Sequence, residues 1–378
     1  MEKVVVAGTH RVRTPEQTLE IITPRLVDYG ITRLADVTGL DSLGVPVVMA
    51  VRPLAATLSV AQGKGVTLEL AKVSAAMECI EFWHAEEAVP TPGMTGIPAE
   101  SLGLDYRVSD LEDDASSLIT EHTLLDWIEA RSAIDDQPAL VPYSAVRISR
   151  PPTDWSPGVP NATTNGLASG NTRAEAIVHA LYELVERDAI ASLELTRTGE
   201  RTCVDPESVR DWCGDLIDRM RAAGAWLDLV WAPSRFGVPC FAAYLWREDF
   251  ASPFAGAGAH SDPAVALSRA VTEAAQSRLT AIVGTRDDLT PRMYTRAAGV
   301  PLRPTTPGGT VDWGVITNEF DRSFVTDEAE AAWLAQRVAA VTGTAPLVVE
   351  LCSDDISVVK VLCPRLGRVM RHHITRLI

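Results

Sequence analysis

The sequence predicts a mixed α+β fold, on three observations. Strand-like and helix-like segments alternate irregularly, without the strict βαβ rhythm of a parallel sheet. Hydrophobic residues make up 46% of the 378, enough for an ordinary packed core. And one pattern, polar-Ala-x-x-Glu-x-x-Glu/Gln, recurs three times in helically spaced segments. Its copies are Ser74 to Glu81, His179 to Glu186 and Arg269 to Gln276. A glycine-rich run precedes each: Gly63-Lys64-Gly65, Gly166 to Gly170, and Gly256-Ala257-Gly258. The copies are too divergent for a solenoid.

The elements follow in order. Lys3-Val4-Val5-Val6-Ala7 reads as a short strand or an ordered lead-in. Thr14-Pro15-Glu16-Gln17 opens a helix with a capping threonine, a proline at the first helical position and a glutamine three on. That helix is expected to reach about Asp28. Residues 31–37 and 45–51 read as strands. The first patterned helix runs from about Thr67 to Glu86, and residues 90–115 read as loop. Residues 123–130 form a strand or helix anchored by Trp127, and 140–148 a strand plus turn. The proline-rich stretch 150–165 reads as an ordered loop or flap near the site. Thr172-Arg173-Ala174-Glu175 matches a capping box and opens the second patterned helix. A helix at 205–223, strands at 226–231 and 239–246, and the third patterned helix from Asp262 follow. Residues 285–325 read as turns, 327–341 as a helix, 347–351 and 357–362 as strands. A basic tail carries Arg365, Arg368, Arg371 and Arg376. Residues 1–54 form an N-terminal α/β segment integral to a main domain at 55–378.

The repeated pattern carries the chemistry. Residues i, i+4 and i+7 share a helix face. Ser74, Glu78 and Glu81 therefore point one way, as do His179, Glu183 and Glu186, with Arg187 beside them. Two such helices face to face converge four carboxylates, a sensible Mg²⁺ site. The alternative is a set of amphipathic helices with solvated acidic faces. Lys64 between glycines suits either a phosphate contact or a plain turn. Glu175 suits either a cap or a nucleotide contact. Arg187 and Arg278 suit either phosphate binding or ion pairs.

Thirty-four basic against fifty acidic residues give a formal charge of −16, which argues against a general nucleic-acid or anionic-membrane binder. The six cysteines include no CxxC pair, so buried free thiols are expected rather than a zinc ribbon or a disulfide framework. No apolar run reaches transmembrane length and no signal region is evident, so a cytoplasmic protein is expected.

These residues resemble the signature of the YcaO family. The resemblance rests on Gly63-Lys64-Gly65 with Ser74-x-x-x-Glu78-x-x-Glu81, and on Asn165 to Asn171 leading to Glu175, Glu183, Glu186, Arg187 and Asp188. It rests also on Gly258 to Asp262 leading to Arg269 through Arg278. It implies a YcaO-like fold of mixed sheets and helices around a central nucleotide and Mg²⁺ site. It implies an enzyme that uses ATP to phosphorylate a backbone amide oxygen of a ribosomally synthesised peptide. Glu78, Glu81, Glu183 and Glu186 would hold Mg²⁺; Lys64, Ser74, Asn171, Glu175, Arg187 and Arg278 would form the nucleotide site. No catalytic base is nominated. Phe82 stands where the family often has arginine after the second glutamate.

The segment from Val37 to Pro53, and Thr272 to Thr280, resemble stand-alone members paired with TfuA-like proteins. That pairing implies a thioamide, made with a sulfur donor. Azoline-forming cyclodehydration, amidine formation and a non-catalytic nucleotide-binding scaffold are the alternatives. The expected partners are a precursor peptide and a TfuA-like protein, with a homodimer left open.

Overall fold

The computed structural model describes residues 1–111, 119–149, 162–250, 253–285 and 308–366. The chain opens with a hairpin of β1 (Val4–Val6) and β2 (Thr9–Arg11), then α1 (Pro15–Ile22). Next come β3 (Arg33–Asp36), β4 (Val47–Val51), β5 (Val60–Lys64) and α2 (Leu68–Glu87). The middle holds β6 (Met94–Pro98), β7 (Leu124–Ser132), β8 (Pro138–Pro142), β9 (Leu167–Gly170) and α3 (Arg173–Leu195). Then follow β10 (Thr202–Val204), α4 (Trp212–Ala222), β11 (Trp226–Ala232), β12 (Cys240–Trp246), β13 (Phe254–Ala259) and α5 (Pro263–Val283). β14 (Gly309–Val311), α6 (Trp313–Glu319), α7 (Asp327–Thr342), β15 (Leu347–Ser353) and β16 (Ser357–Leu362) complete the order.

Three sheets and the hairpin organise these elements. β3, β4 and β5 form one antiparallel sheet, which joins the N-terminal segment to the strand before α2. A second runs β6-β7-β15-β16-β9, with β8 added to β7. The third runs β13-β12-β11-β10-β14, antiparallel except for the β10–β14 pair. Among the described residues no helix is long and apolar enough to cross a membrane.

The three patterned helices each follow a strand, and each is capped where the strand ends. Thr67 accepts from the Leu70 amide, Thr172 from Glu175 and Asp262 from Ala264. The glycines before them lie in or at the ends of β5, β9 and β13, so they are packing positions rather than a free loop. A Cβ on Gly63 would sit 2.0 Å from the Ala75 amide nitrogen. One on Gly170 would sit 2.5 Å from that of Ala176, and one on Gly258 2.0 Å from the Ala266 carbonyl. Alanines of the helices supply the matching small surface: Ala75, Ala176 and Ala270 are fully buried. Glycine in the strand and alanine on the helix let the two backbones close up, which draws the helix faces together.

Several expectations shift. The capping box at Thr14 and Gln17 is complete, but α1 ends at Ile22 and tightens into a 3₁₀ turn over Thr23–Arg25. Pro24 cannot donate into the helix, which stops it short of Asp28. The helix expected over 205–223 begins only at Trp212, where Asp211 accepts from the Cys213 and Gly214 amides. The stretch 90–115 contains β6, paired to β7. The stretch 285–325 contains β14 and α6, with 286–307 outside the described residues. The flap expected over 150–165 lies outside them up to residue 161, as does the basic tail from residue 367.

Candidate functional site

The faces of α2, α3 and α5 meet in one charged interior. Glu81 on α2 reaches β9, where its Oε1 accepts from the Ser169 amide at 2.7 Å and hydroxyl at 2.5 Å. Glu183 on α3 accepts from the Gly166 amide at 3.2 Å. Arg187, one turn on, lies 3.6 Å from Glu183 and 3.7 Å from Glu186. From β5, Lys64 bonds Glu273 of α5 at 2.8 Å. Gln276 donates to the Gln62 carbonyl at 2.8 Å.

The electrostatics of this interior are strained in one direction. Burial pushes the Glu81 carboxyl up to about 8; the bonds from Ser169 oppose that shift, while the charges of Glu78 and Glu183 add to it. Burial also lifts Glu186 to about 7, against Arg187 and with Glu273. Glu183 is raised by burial, held back by Arg187 and Lys360. Negative charge is therefore under-compensated where α2 and α3 face each other. Among the described residues no three His, Cys, Asp or Glu side chains are gathered into a ready-made metal cage. Mg²⁺ does not need one, because it takes one or two carboxylates together with phosphate oxygens and water. Half-buried and buried carboxylates whose charge is disfavoured by their surroundings fit that ion, and Glu78, Glu81, Glu183 and Glu186 are the residues that could hold it.

The other expected residues divide. Ser74 is half-buried, with no hydrogen bond among the described residues. The buried Nε of Arg187 also lacks a partner. Both are free to take a ligand atom. Asn171 and Glu175 form a buried pair: the Glu175 carboxylate accepts from the Asn171 amide at 3.1 Å and from its Nδ2 at 3.0 Å. The Val12 amide and the Arg11 guanidinium reach the same carboxylate at 3.1 and 3.6 Å. Thr172 makes its half of the capping box, but Glu175 gives its side chain to this cluster instead of returning the bond. Arg278 is committed elsewhere. It is 1% exposed, bonds Asp41 through Nε at 2.8 Å and Asp249 through Nη1 at 2.8 Å, and stacks on Phe250. It clamps α5 to the N-terminal segment.

The sequence reading missed Arg269 and His179 as a pair. They stand at the first polar position of copies three and two, and lie 3.1 Å apart. Equivalence of position within the repeat was the signal. Lys360 was also missed. Burial lowers its ammonium to about 8, with Glu183 acting against the shift.

A mixed α+β fold of this order, with carboxylates of two capped helices in one charged interior, defines a class of proteins suited to binding a cation together with an anionic ligand. The comparisons name the family. Residues 62–367 match the model of the YcaO family, described as YcaO cyclodehydratase, ATP- and Mg²⁺-binding, and the chain belongs to that family. An uncharacterised Mycobacterium tuberculosis protein is 39% identical over 378 aligned residues, spanning 95% of this chain and 83% of the relative. A Rhizobium leguminosarum protein described as lying in the tfuA 3′ region is 39% identical, spanning 76% of this chain and 70% of its own. Among solved structures, YcaO from Methanopyrus kandleri bound with AMPPCP and Mg²⁺ superposes with a TM-score of 0.76. It is 25% identical and covers 97% of this chain and 95% of its own. A heterocyclase in complex with substrate and cofactor gives 0.73 at 22% identity, covering 97% and 55%, and shares the fold.

Proposed function

We propose that this chain uses ATP and Mg²⁺ to activate a backbone amide of a ribosomally made peptide, and that the product is a thioamide. The carboxylates of α2 and α3, whose charge burial disfavours, carry the reading, because they suit a cation that arrives with a polyphosphate. Mg²⁺ held by Glu78, Glu81, Glu183 and Glu186 would neutralise phosphate charge as it moves. Lys64 leaves Glu273 to meet a phosphate oxygen, and Arg187 offers its unpartnered Nε to another. Ser74 donates its hydroxyl from the same face as Glu78. Asn171 and Glu175, braced by the N-terminal hairpin, complete the nucleotide site. Arg278 is not part of it. Residues 1–54 act with 55–378 as one unit, since Asp41 and Val12 both reach into the main body.

The amide oxygen attacks the γ-phosphorus and ADP departs. Sulfide then adds to the amide carbon, and phosphate leaves with the original oxygen. Positioning and charge neutralisation are the protein's share. The relative in the tfuA 3′ region supports a TfuA-like partner, to which the sulfur supply is assigned in this proposal. The family's description as cyclodehydratases favours azoline formation as the second reading.

Incubation with ATP, Mg²⁺, sulfide, a TfuA-like protein and a candidate peptide tests both. A mass change matching exchange of oxygen for sulfur is the expected result. Loss of one water selects the second reading. Nucleotide binding without any change in peptide, whatever nucleophile is supplied, overturns both and leaves a binding scaffold.

A further inference from the structure

The buried ammonium of Lys360 is unused by the chemistry above. Lys360 lies on β16, opposite Leu167 of β9, and is 2% exposed. Its Nζ donates to two main-chain carbonyls, Thr163 at 2.5 Å and Asn165 at 2.7 Å. Those residues form a turn, closed by the Leu167 amide on the Thr164 carbonyl at 2.8 Å. Gly166 ends the turn with φ +73°, and its carbonyl accepts from the Val361 amide at 2.7 Å. Its own amide is the group that holds Glu183 at 3.2 Å. A charged amine sequestered from water to tie down a short turn is costly unless the turn has a task. Here the task is visible at its far end, where one amide fixes the carboxylate.

We propose that Lys360 is a positioning residue for the metal site: it pins the turn at Thr163–Gly166 to β16, and the turn aims the Glu183 carboxylate. Its Nζ is engaged by the two carbonyls, so it would act on the metal only through the turn and Glu183. The inference rests on the reading of Glu183 as a Mg²⁺ ligand. Groups that orient a metal ligand typically change affinity by about 10- to 100-fold when removed.

Binding of a fluorescent, non-hydrolysable ATP analogue, titrated with Mg²⁺, is the test. Lys360→Met should raise the half-saturating Mg²⁺ concentration roughly tenfold. Gly166→Ala should do the same from the other end of the turn, since a Cβ there falls 2.2 Å from the Val361 carbonyl oxygen and φ is positive. Val338→Ala, in the buried face of α7, controls for lost stability and should leave the Mg²⁺ midpoint in place. If Lys360→Met does not fold, Gly166→Ala decides. An unchanged Mg²⁺ midpoint in the folded turn variants, with normal Mg²⁺-dependent binding in the wild type, overturns the positioning role alone. A shift equal to that of Val338→Ala overturns it too. A wild type that binds the analogue without regard to Mg²⁺ overturns the metal reading, and this inference with it.

Discussion

Glu81→Gln is the most informative single change, because its effect should reverse between two conditions. The Glu81 carboxyl is raised from an ordinary value of 4.5 to about 8 in the folded chain. The folded state therefore keeps a proton that the unfolded state releases. The stability associated with it is fully present below the unfolded value and is lost as pH climbs toward 8. Between about pH 6 and about pH 8 the wild type should lose about 2 kcal/mol from this group, reduced to ~1 by its partial contact with solvent. Glutamine does not titrate, and its amide oxygen can still accept from the Ser169 amide and hydroxyl. The difference between the two proteins isolates Glu81 from the buried histidines. Unfolding entropy near 2 cal/mol/K per residue converts ~1–2 kcal/mol into about 1–3 °C for a chain of this size. Thermal unfolding in chelator measures it: the wild-type midpoint should fall relative to Glu81→Gln on moving from the lower to the higher pH. With Mg²⁺ and a non-hydrolysable nucleotide the order should invert, the wild type gaining and the variant gaining little. Parallel pH dependence of the two proteins in chelator would refute the claim that Glu81 is an under-compensated carboxylate.

Glu183→Gln should depress peptide modification by about 100-fold or more, since it removes a ligand charge; Gln276→Glu should cost far less, and equal losses would show that the repeats do not divide their labour. Arg278→Met should destabilise the fold by about 2–3 kcal/mol in denaturant melts, because it leaves the buried Asp41 carboxylate with only the Arg247 pair at 3.5 Å and the Ser42 amide. Nucleotide affinity of the folded fraction should not change, and a selective loss of affinity would return Arg278 to the nucleotide site. Gly63→Ala should cost about 1–3 kcal/mol or prevent folding, as its Cβ meets the backbone of α2; a neutral result in a thermal melt would remove close strand–helix packing as the reason for that glycine.

What could be read from the chain and what could not differ by the range of the physics. The three helices were legible because their signals are local: a capping Thr or Asp, a run at helical spacing, glutamates one turn apart. Spacing alone also sets Glu78 and Glu81 on one face of their helix, and Glu183 and Glu186 on one face of theirs. The glycines misled because their reason is not local. Gly63 is small for the sake of Ala75, across the strand–helix packing, and no phosphate is needed to explain it. Arg278 is a similar case. An arginine after a motif reads as a phosphate contact until Asp41, more than two hundred residues earlier, is seen to hold it. Lys360 was legible only as part of the Val358-Val359-Lys360-Val361 strand; its contacts gave no signal, because they are main-chain carbonyls that any residue type could supply. The pattern in these cases is consistent. Residues whose charge would meet a ligand advertise themselves in the sequence by repetition, whereas residues that hold those groups in place are chosen by contacts the fold creates. That is why the repeat could nominate a centre for the proposed site, while the contacts around it, from the Arg11 hairpin to the turn under Lys360, had to be found in three dimensions.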